Sequence, residues 1–275
     1  MTFERVLFPV DFSDRSRETA PYVRELARRF DSEVLLMHVL QFVTPPYGPA
    51  PETGYLVVDQ MQMLHEQRRQ EFETLFEDEF AGIRVRRNIT EGDPAHEIID
   101  CATTERISLI MMPTHGYGPF RALLLGSVVA KVLHDAACPV WTSAHTEEVL
   151  THPPQAWRRI LCAIDTNADD IRVAKWACEL ATEENAQLCF AHAIHDESLS
   201  ANAHDKLGEV IGPSARDRTV TVAVGHPEDV VREAAAKYQA DLVVIGRGVI
   251  QKRLGRLRSR AYAIIRESPC PVISV

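Results

Sequence analysis

The sequence predicts an α/β protein made of two tandem, doubly wound, five-stranded parallel-sheet domains. Three observations predict it. Short apolar runs alternate with segments of helical period over the first half of the chain. The same order of motifs then starts again at Arg159. In both halves the first apolar run ends in an acid and the fourth opens into a glycine-bearing loop. Strands that alternate with helices imply parallel pairing, because parallel neighbours need crossover connections.

The elements follow in order. Arg5 to Asp11 (RVLFPVD) is an apolar strand ending in a carboxylate. Ala20, Val23, Leu26, Ala27 and Phe30 mark a helix from about Ser13, with Ser13 or Asp14 as its N-cap. Glu33 to Leu40 is the second strand. Residues 41–53 carry four prolines and exclude regular structure, so a mobile connection, a lid or a docking segment is expected there. A long helix is predicted from Val57 to Phe80, with Met61, Leu64, Phe72, Leu75 and Phe76 as its apolar stripe. Ile83 to Ile89 is the third strand. Gly92-Asp93-Pro94 breaks the chain before a helix from His96 to Glu105. Ile107 to Met112 is the fourth strand, Val128, Val129, Val132 and Leu133 mark the next helix, and Pro139 to Thr142 is the fifth strand.

Residues 143–157 are polar and contain Pro153-Pro154, which predicts a linker between domains at 1–145 and 156–275. Asp11 and Asp165 are 154 positions apart, as are His38 and His192. Pro94 and Pro227, and Met112 and Ile245, are 133 apart, whereas Cys138 and Cys270 are 132 apart. The second copy is therefore 21 residues shorter between its second and third strands and one shorter in the loop after the fourth. That single deletion falls on the candidate binding loop and predicts that the halves differ there.

Composition bounds the rest. The chain has 275 residues and a formal charge of −9, which argues against general nucleic-acid or membrane-surface binding. No apolar run approaches a membrane span and the N-terminal residues lack a signal-peptide pattern, so a cytoplasmic location is expected. The six cysteines form no CxxC pair and suit buried thiols in a reducing compartment. Phosphate-loop, GxGxxG, HExxH and GxSxG motifs are absent, so no enzyme and no catalytic residue or metal site is predicted.

The candidate site is the loop that begins at Met112-Pro113-Thr114-His115-Gly116 and ends at Gly126-Ser127. A strand, a glycine-bearing loop and then a helix start is a recipe for holding an anion. The first turn of a helix has unpaired N–H groups, and its dipole favours negative charge. In doubly wound sheets ligands sit beyond the carboxyl ends of the strands where strand order reverses, so Asp11 and this loop are expected to face one crevice.

These residues resemble the universal stress protein family in its tandem form, across nearly the whole chain. Gly116, the nine residues 117–125 and Gly126-Ser127 match the second part of the family's glycine pattern without a gap. The resemblance implies strand order 3-2-1-4-5, pairing of the halves through their fifth strands, a role in stress response, and, as in many members, ATP or a related adenine nucleotide as ligand, with magnesium. Carried over by position, Asp11 and Val39 would meet the adenosine end. Gly116, Gly126 and Ser127, with the Val128 amide, would hold phosphates, and Pro9, Val10, Met112 and Pro113 complete the expected set. Pro113 departs from the family, standing where its first glycine would be and offering no N–H. The second half departs further, with a shorter loop (Gly246-Arg247-Gly248) and Arg258 in place of the third glycine, and no ATP site of the family type is expected there. Its cluster of Arg247, Lys252, Arg253, Arg256, Arg258 and Arg260 is either a solvated basic segment or a site for another anion.

Three functions stay open on sequence: a nucleotide-binding regulator, a nucleotide-free interaction protein, and a slow nucleotide hydrolase. The expected partners are an adenine nucleotide and the other half of the chain. A homodimer of whole chains stays open, and no nucleic acid or membrane is expected. His38 and His192 are expected as satisfied core histidines, and His115 as at most a phosphate contact.

Overall fold

The computed structural model describes residues 3–41, 54–115, 125–144, 155–167, 169–212, 218–247 and 256–275, with side chains omitted at 54–62 and 256–259. The first half runs β1 (Arg5–Pro9), α1 (Asp14–Phe30), β2 (Glu33–Leu40), α2 (Gly54–Thr74), β3 (Arg84–Glu91), α3 (Pro94–Thr104), β4 (Leu109–Met112), α4 (Ser127–Asp135) and β5 (Val140–Thr142). The second half repeats it as β6 (Arg159–Ala163), α5 (Asp169–Glu183), β7 (Gln187–Ile194), α6 (Ser200–Ile211), β8 (Thr219–Val224), α7 (Pro227–Tyr238), β9 (Leu242–Ile245), α8 (Arg256–Glu267) and β10 (Val272–Ser274). The shortening expected in the second copy falls where α6 replaces the longer α2.

All ten strands form one sheet in the order β3-β2-β1-β4-β5-β10-β9-β6-β7-β8. Each half keeps the 3-2-1-4-5 order with parallel neighbours, and the seam between β5 and β10 is antiparallel. At that seam Trp141 faces Ile273, Val140 faces Ser274 and Thr142 faces Val272. Trp141 and Ile273 are both fully buried, so the seam is core rather than a surface contact. The central strands alternate between two apolar layers, as period-two side chains must, while the edge strands β3 and β8 pack one face only. On β1, Val6 and Phe8 pack with α1, α2 and, across the seam, α5 and α6, while Leu7 packs with α3, α4, α7 and α8.

Local signals explain two of the helix starts. Ser13 caps α1, accepting from the Ser16 amide, which is the bond an N-cap serine supplies. Asp93 caps α3 in the same way, ahead of Pro94 at the first helical position. Gly92 is required there: its φ is 153°, and a Cβ would stand 2.8 Å from Glu97 Oε1.

Two boundaries correct the sequence reading. The long helix starts at Gly54 and ends at Thr74, not at Phe80. Phe76 has a φ of 60°, and the chain turns through residues 75–82. Leaving the helix lets Phe76 stack on Phe8 at 5.8 Å and brings Phe80 edge-on to Phe8 at 6.3 Å, contacts that a straight helix would spread along one stripe. The third strand runs on to Glu91, because its residues continue the parallel ladder with β2 through Leu40. The predicted proline-rich segment lies almost wholly outside the described residues.

Candidate functional site

A cleft of about 560 Å³ opens beyond the carboxyl ends of β1 and β4, at the reversal of strand order. It lies within the usual range for ligand sites, roughly 300 to 1,000 Å³. Pro9, Val10, Asp11, Val39, Met112, Pro113, Gly126, Ser127 and Val128 all line it. Gly116, the remaining residue of the predicted set, lies outside the described residues.

One wall is the start of α4. Gly126 is its N-cap and supplies no side-chain cap. The first backbone bond into the helix is from the Ala130 amide to the Gly126 carbonyl. The amides of Ser127, Val128 and Val129 thus have no hydrogen-bond partner among the described residues, which is the state in which a helix start accepts an anion. The Gly126 amide itself is engaged: it donates to the Thr114 carbonyl at 3.0 Å. Gly126 therefore contributes close approach rather than a donor. A Cβ at this position would stand 3.4 Å from His115 Cα.

The opposite wall is built around Asp11. Its Oδ1 accepts from the Ser13 amide at 3.0 Å, the Ser13 hydroxyl at 2.5 Å and the Ser16 hydroxyl at 2.7 Å. These three donors anchor the carboxylate to the first turn of α1 through one oxygen. Phe12, next to it, is held at a φ of 62°, a conformation disfavoured for a bulky residue. There its ring meets His38 edge-on at 4.7 Å, and the Arg68 guanidinium lies 4.7 Å over its centroid. His38 Nδ1 donates to the Val10 carbonyl at 2.8 Å, since a carbonyl can only accept. Burial lowers the His38 pKa, opposed by that carbonyl and by Asp11 and reinforced by Arg68, so the ring is neutral near pH 7.

His38 is thus satisfied, as the sequence suggested, but it lines the cleft rather than lying in a closed core. His115, buried beside Thr114, lines it too. Sequence reasoning missed Ser13 and Ser16 as holders of Asp11, and Arg68 as the cation at the rim. Their signals were present: two hydroxyls within five residues of an acid at a strand end, and Arg68 four residues beyond Leu64 on one helix face.

The second half has a smaller cleft, about 280 Å³, at the equivalent place. The internal offset of 154 puts Asn167 and Asp170 where the first half has Ser13 and Ser16. Hydroxyl donors are replaced by an amide and a second carboxylate. Asp170 is 7% exposed and accepts from the Asn167 amide at 3.3 Å. Burial, with Asp165 and Asp169 nearby, raises its pKa to about 6. His192 repeats His38, donating to the Ile164 carbonyl at 2.9 Å.

Two members of the basic cluster have described side chains, Arg247 and Arg260, and both line the second cleft. The Arg247 guanidinium turns to the first half, donating through Nη1 to the Ala136 carbonyl and through Nη2 to the Cys138 carbonyl at 2.6 Å. Lys252 and Arg253, and the side chains of Arg256 and Arg258, lie outside the described residues. Among the described residues no group of three or more His, Cys, Asp or Glu could hold a metal ion, and no helix is long and apolar enough to cross a membrane. All six cysteines are free thiols, and burial pushes Cys270 to about 12.

The fold and cleft define a class: a tandem doubly wound α/β protein with one roomy and one reduced ligand cleft at paired switch points. The chain belongs to the universal stress protein family, whose model matches residues 2–143 and again 156–275. A universal stress protein of Methanocaldococcus jannaschii is 31% identical over 139 residues, covering 50% of this chain and 80% of its own length. One from Thermus aquaticus is 29% identical over 141 residues, covering 50% and 96%. Over the whole chain, the crystal structure of a universal stress protein from Archaeoglobus fulgidus superposes with a TM-score of 0.70 at 24% identity, covering 99% of this chain and 97% of that one. A functionally unknown protein from Pseudomonas aeruginosa gives 0.64 at 18% identity, covering 99% and 92%. Each of the two curated relatives thus corresponds to about half of this chain, and both whole-chain structures share its fold.

Proposed function

We propose that this protein is a stress-response regulator that binds ATP in the cleft of its first half and uses the second half as a degenerate partner domain. The observation that carries this reading is the uncapped first turn of α4, which lines the same cleft as Asp11. The Ser127, Val128 and Val129 amides and the Ser127 hydroxyl would hold phosphate oxygens. Arg68, which also lines the cleft and is paired with Glu71 at 2.7 Å, would turn its guanidinium to a phosphate. Val39 and Met37 supply apolar surface for a base, and the free oxygen of Asp11 is an acceptor for a ribose hydroxyl. Pro113 removes one backbone donor but not the helix start, and the cleft keeps its volume beside it. The paired carboxylates of the second cleft disfavour a polyphosphate there. The role proposed is regulatory binding, and no catalytic step is assigned to the cleft.

The competing reading, a nucleotide-free interaction protein, draws on Pro113 and on the Gly126 amide being already engaged. Calorimetric titration with ATP and magnesium separates the two. Saturable heat and a rise in melting temperature are expected; neither signal at millimolar ATP would refute nucleotide binding.

A further inference from the structure

Side chains of the second half bond the helix that forms one wall of the first-half cleft. Helix α4 has nine residues, so its two ends are only about 13 Å apart. Its start is the anion-holding wall of the cleft. Within its own half, α4 is held by Val129, Val132 and Leu133 in the apolar layer. Such packing is non-directional and sets the helix's distance from the sheet better than its position along its own axis. Directional contacts come from both halves: in its own, the Gly126 amide bonds the Thr114 carbonyl at 3.0 Å and Lys131 pairs with Asp93 at 3.0 Å, and the second half adds two side chains that bond backbone carbonyls. Tyr262 on α8 donates its hydroxyl proton to the Ala130 carbonyl at 2.7 Å. Arg247, just beyond β9, forks over the far end of the helix, bonding the carbonyl of Ala136, its C-cap, and that of Cys138.

Arg247 is itself rigidly mounted. Its amide donates to the Val275 carbonyl at 3.2 Å, and the Val275 amide donates to Ile245. The internal repeat puts Thr114 at the corresponding place in the first half, by the offset of 133. Threonine is too short to make the reciprocal reach, so the grip runs one way, from the second half to the first. The guanidinium also sits at the negative end of the α4 dipole, where a cation is favoured. Its pKa is lowered by burial, which a guanidinium tolerates without losing its charge.

From this geometry we infer that Arg247 is a positioning residue for the first-half nucleotide site: it sets, through α4, where the Ser127–Val129 amides stand. The inference rests on the nucleotide reading above, and its signature is selective. Displacing α4 disturbs the phosphate contacts but leaves the Asp11 and Val39 wall in place.

The test titrates ATP and, separately, adenosine into the full-length wild type, Arg247→Ala and Tyr262→Phe, with melting temperatures recorded for each. ATP affinity is expected to fall about fivefold or more in Arg247→Ala, the lower range of coupling between sites, while adenosine affinity changes less than about twofold. Tyr262→Phe keeps the ring in place and should shift the ATP-to-adenosine ratio in the same direction, which preserves the test if the arginine variant does not fold. Equal losses for ATP and adenosine, or an unchanged ratio in variants that fold, would overturn the positioning role while leaving nucleotide binding intact. A wild type that binds neither ligand would overturn both.

Discussion

Replacing Asp170 by asparagine should stabilise the protein at neutral pH and do nothing in acid. The wild-type carboxyl is buried, with its pKa raised from 3.8 to about 6, chiefly by loss of solvation and then by Asp165 and Asp169. A raised carboxyl pKa means that the folded state holds its proton more tightly than the unfolded state does. The stability it contributes is complete below pH 3.8 and is lost as pH rises through about 6. A shift of about two units at 1.36 kcal/mol each corresponds to about 3 kcal/mol at pH 7. Asparagine keeps the shape and still accepts from the Asn167 amide, but carries no charge. Urea denaturation of both proteins between pH 4 and 8 should show curves that lie together at the acid end. Asp170→Asn should draw ahead by 2 to 3 kcal/mol through pH 6 and hold that lead above it, an order-of-magnitude expectation from the same linkage. A constant difference across the range, or a wild type favoured at pH 8, would refute the reasoning, because neither can arise from a carboxylate strained by burial.

Two further substitutions probe the cleft and the seam. Gly126→Arg, which copies the second half, should reduce ATP affinity at least about tenfold by filling the space over the α4 amides. Gly126→Ala should fold normally, since its φ is −59° and its Cβ would meet nothing closer than 3.4 Å; equal ATP affinity in Gly126→Arg and wild type would show the wall to be misassigned. At the seam, Trp141→Ala should cost about 3 to 5 kcal/mol in urea denaturation, the range for a large buried aromatic. Trp141→Phe should cost far less, because the buried indole N–H has no hydrogen-bond partner among the described residues.

What the sequence determined by itself was everything written in local periodicity and in self-comparison. Strands such as Glu33–Leu40 are short, nearly continuous apolar runs buried on both faces, and Ser13 and Asp93 stand at the starts of the helices they cap. The repeat offsets located the lost segment between β7 and β8 and marked the second loop as altered. The nine predicted residues that can be described line one cleft because strand ends and helix starts meet at a topological switch point whatever the intervening chain does.

Tertiary structure decided what depends on partners distant in the chain. The sequence could not show that Phe76 leaves the helix to stack on Phe8, since that gain comes from a strand 68 positions away. It could not show that Gly126 spends its amide on Thr114, or that Ser13 and Ser16 hold Asp11 by one oxygen. Least of all could it show Arg247 reaching from the edge of the second cleft to the carbonyls at the end of α4. Periodicity records which face of an element is buried. Which unsatisfied group lies within reach of a long side chain is a property of the packed molecule, and here the antiparallel seam of β5 and β10 creates it by bringing Arg247 and Tyr262 of the second half within reach of α4.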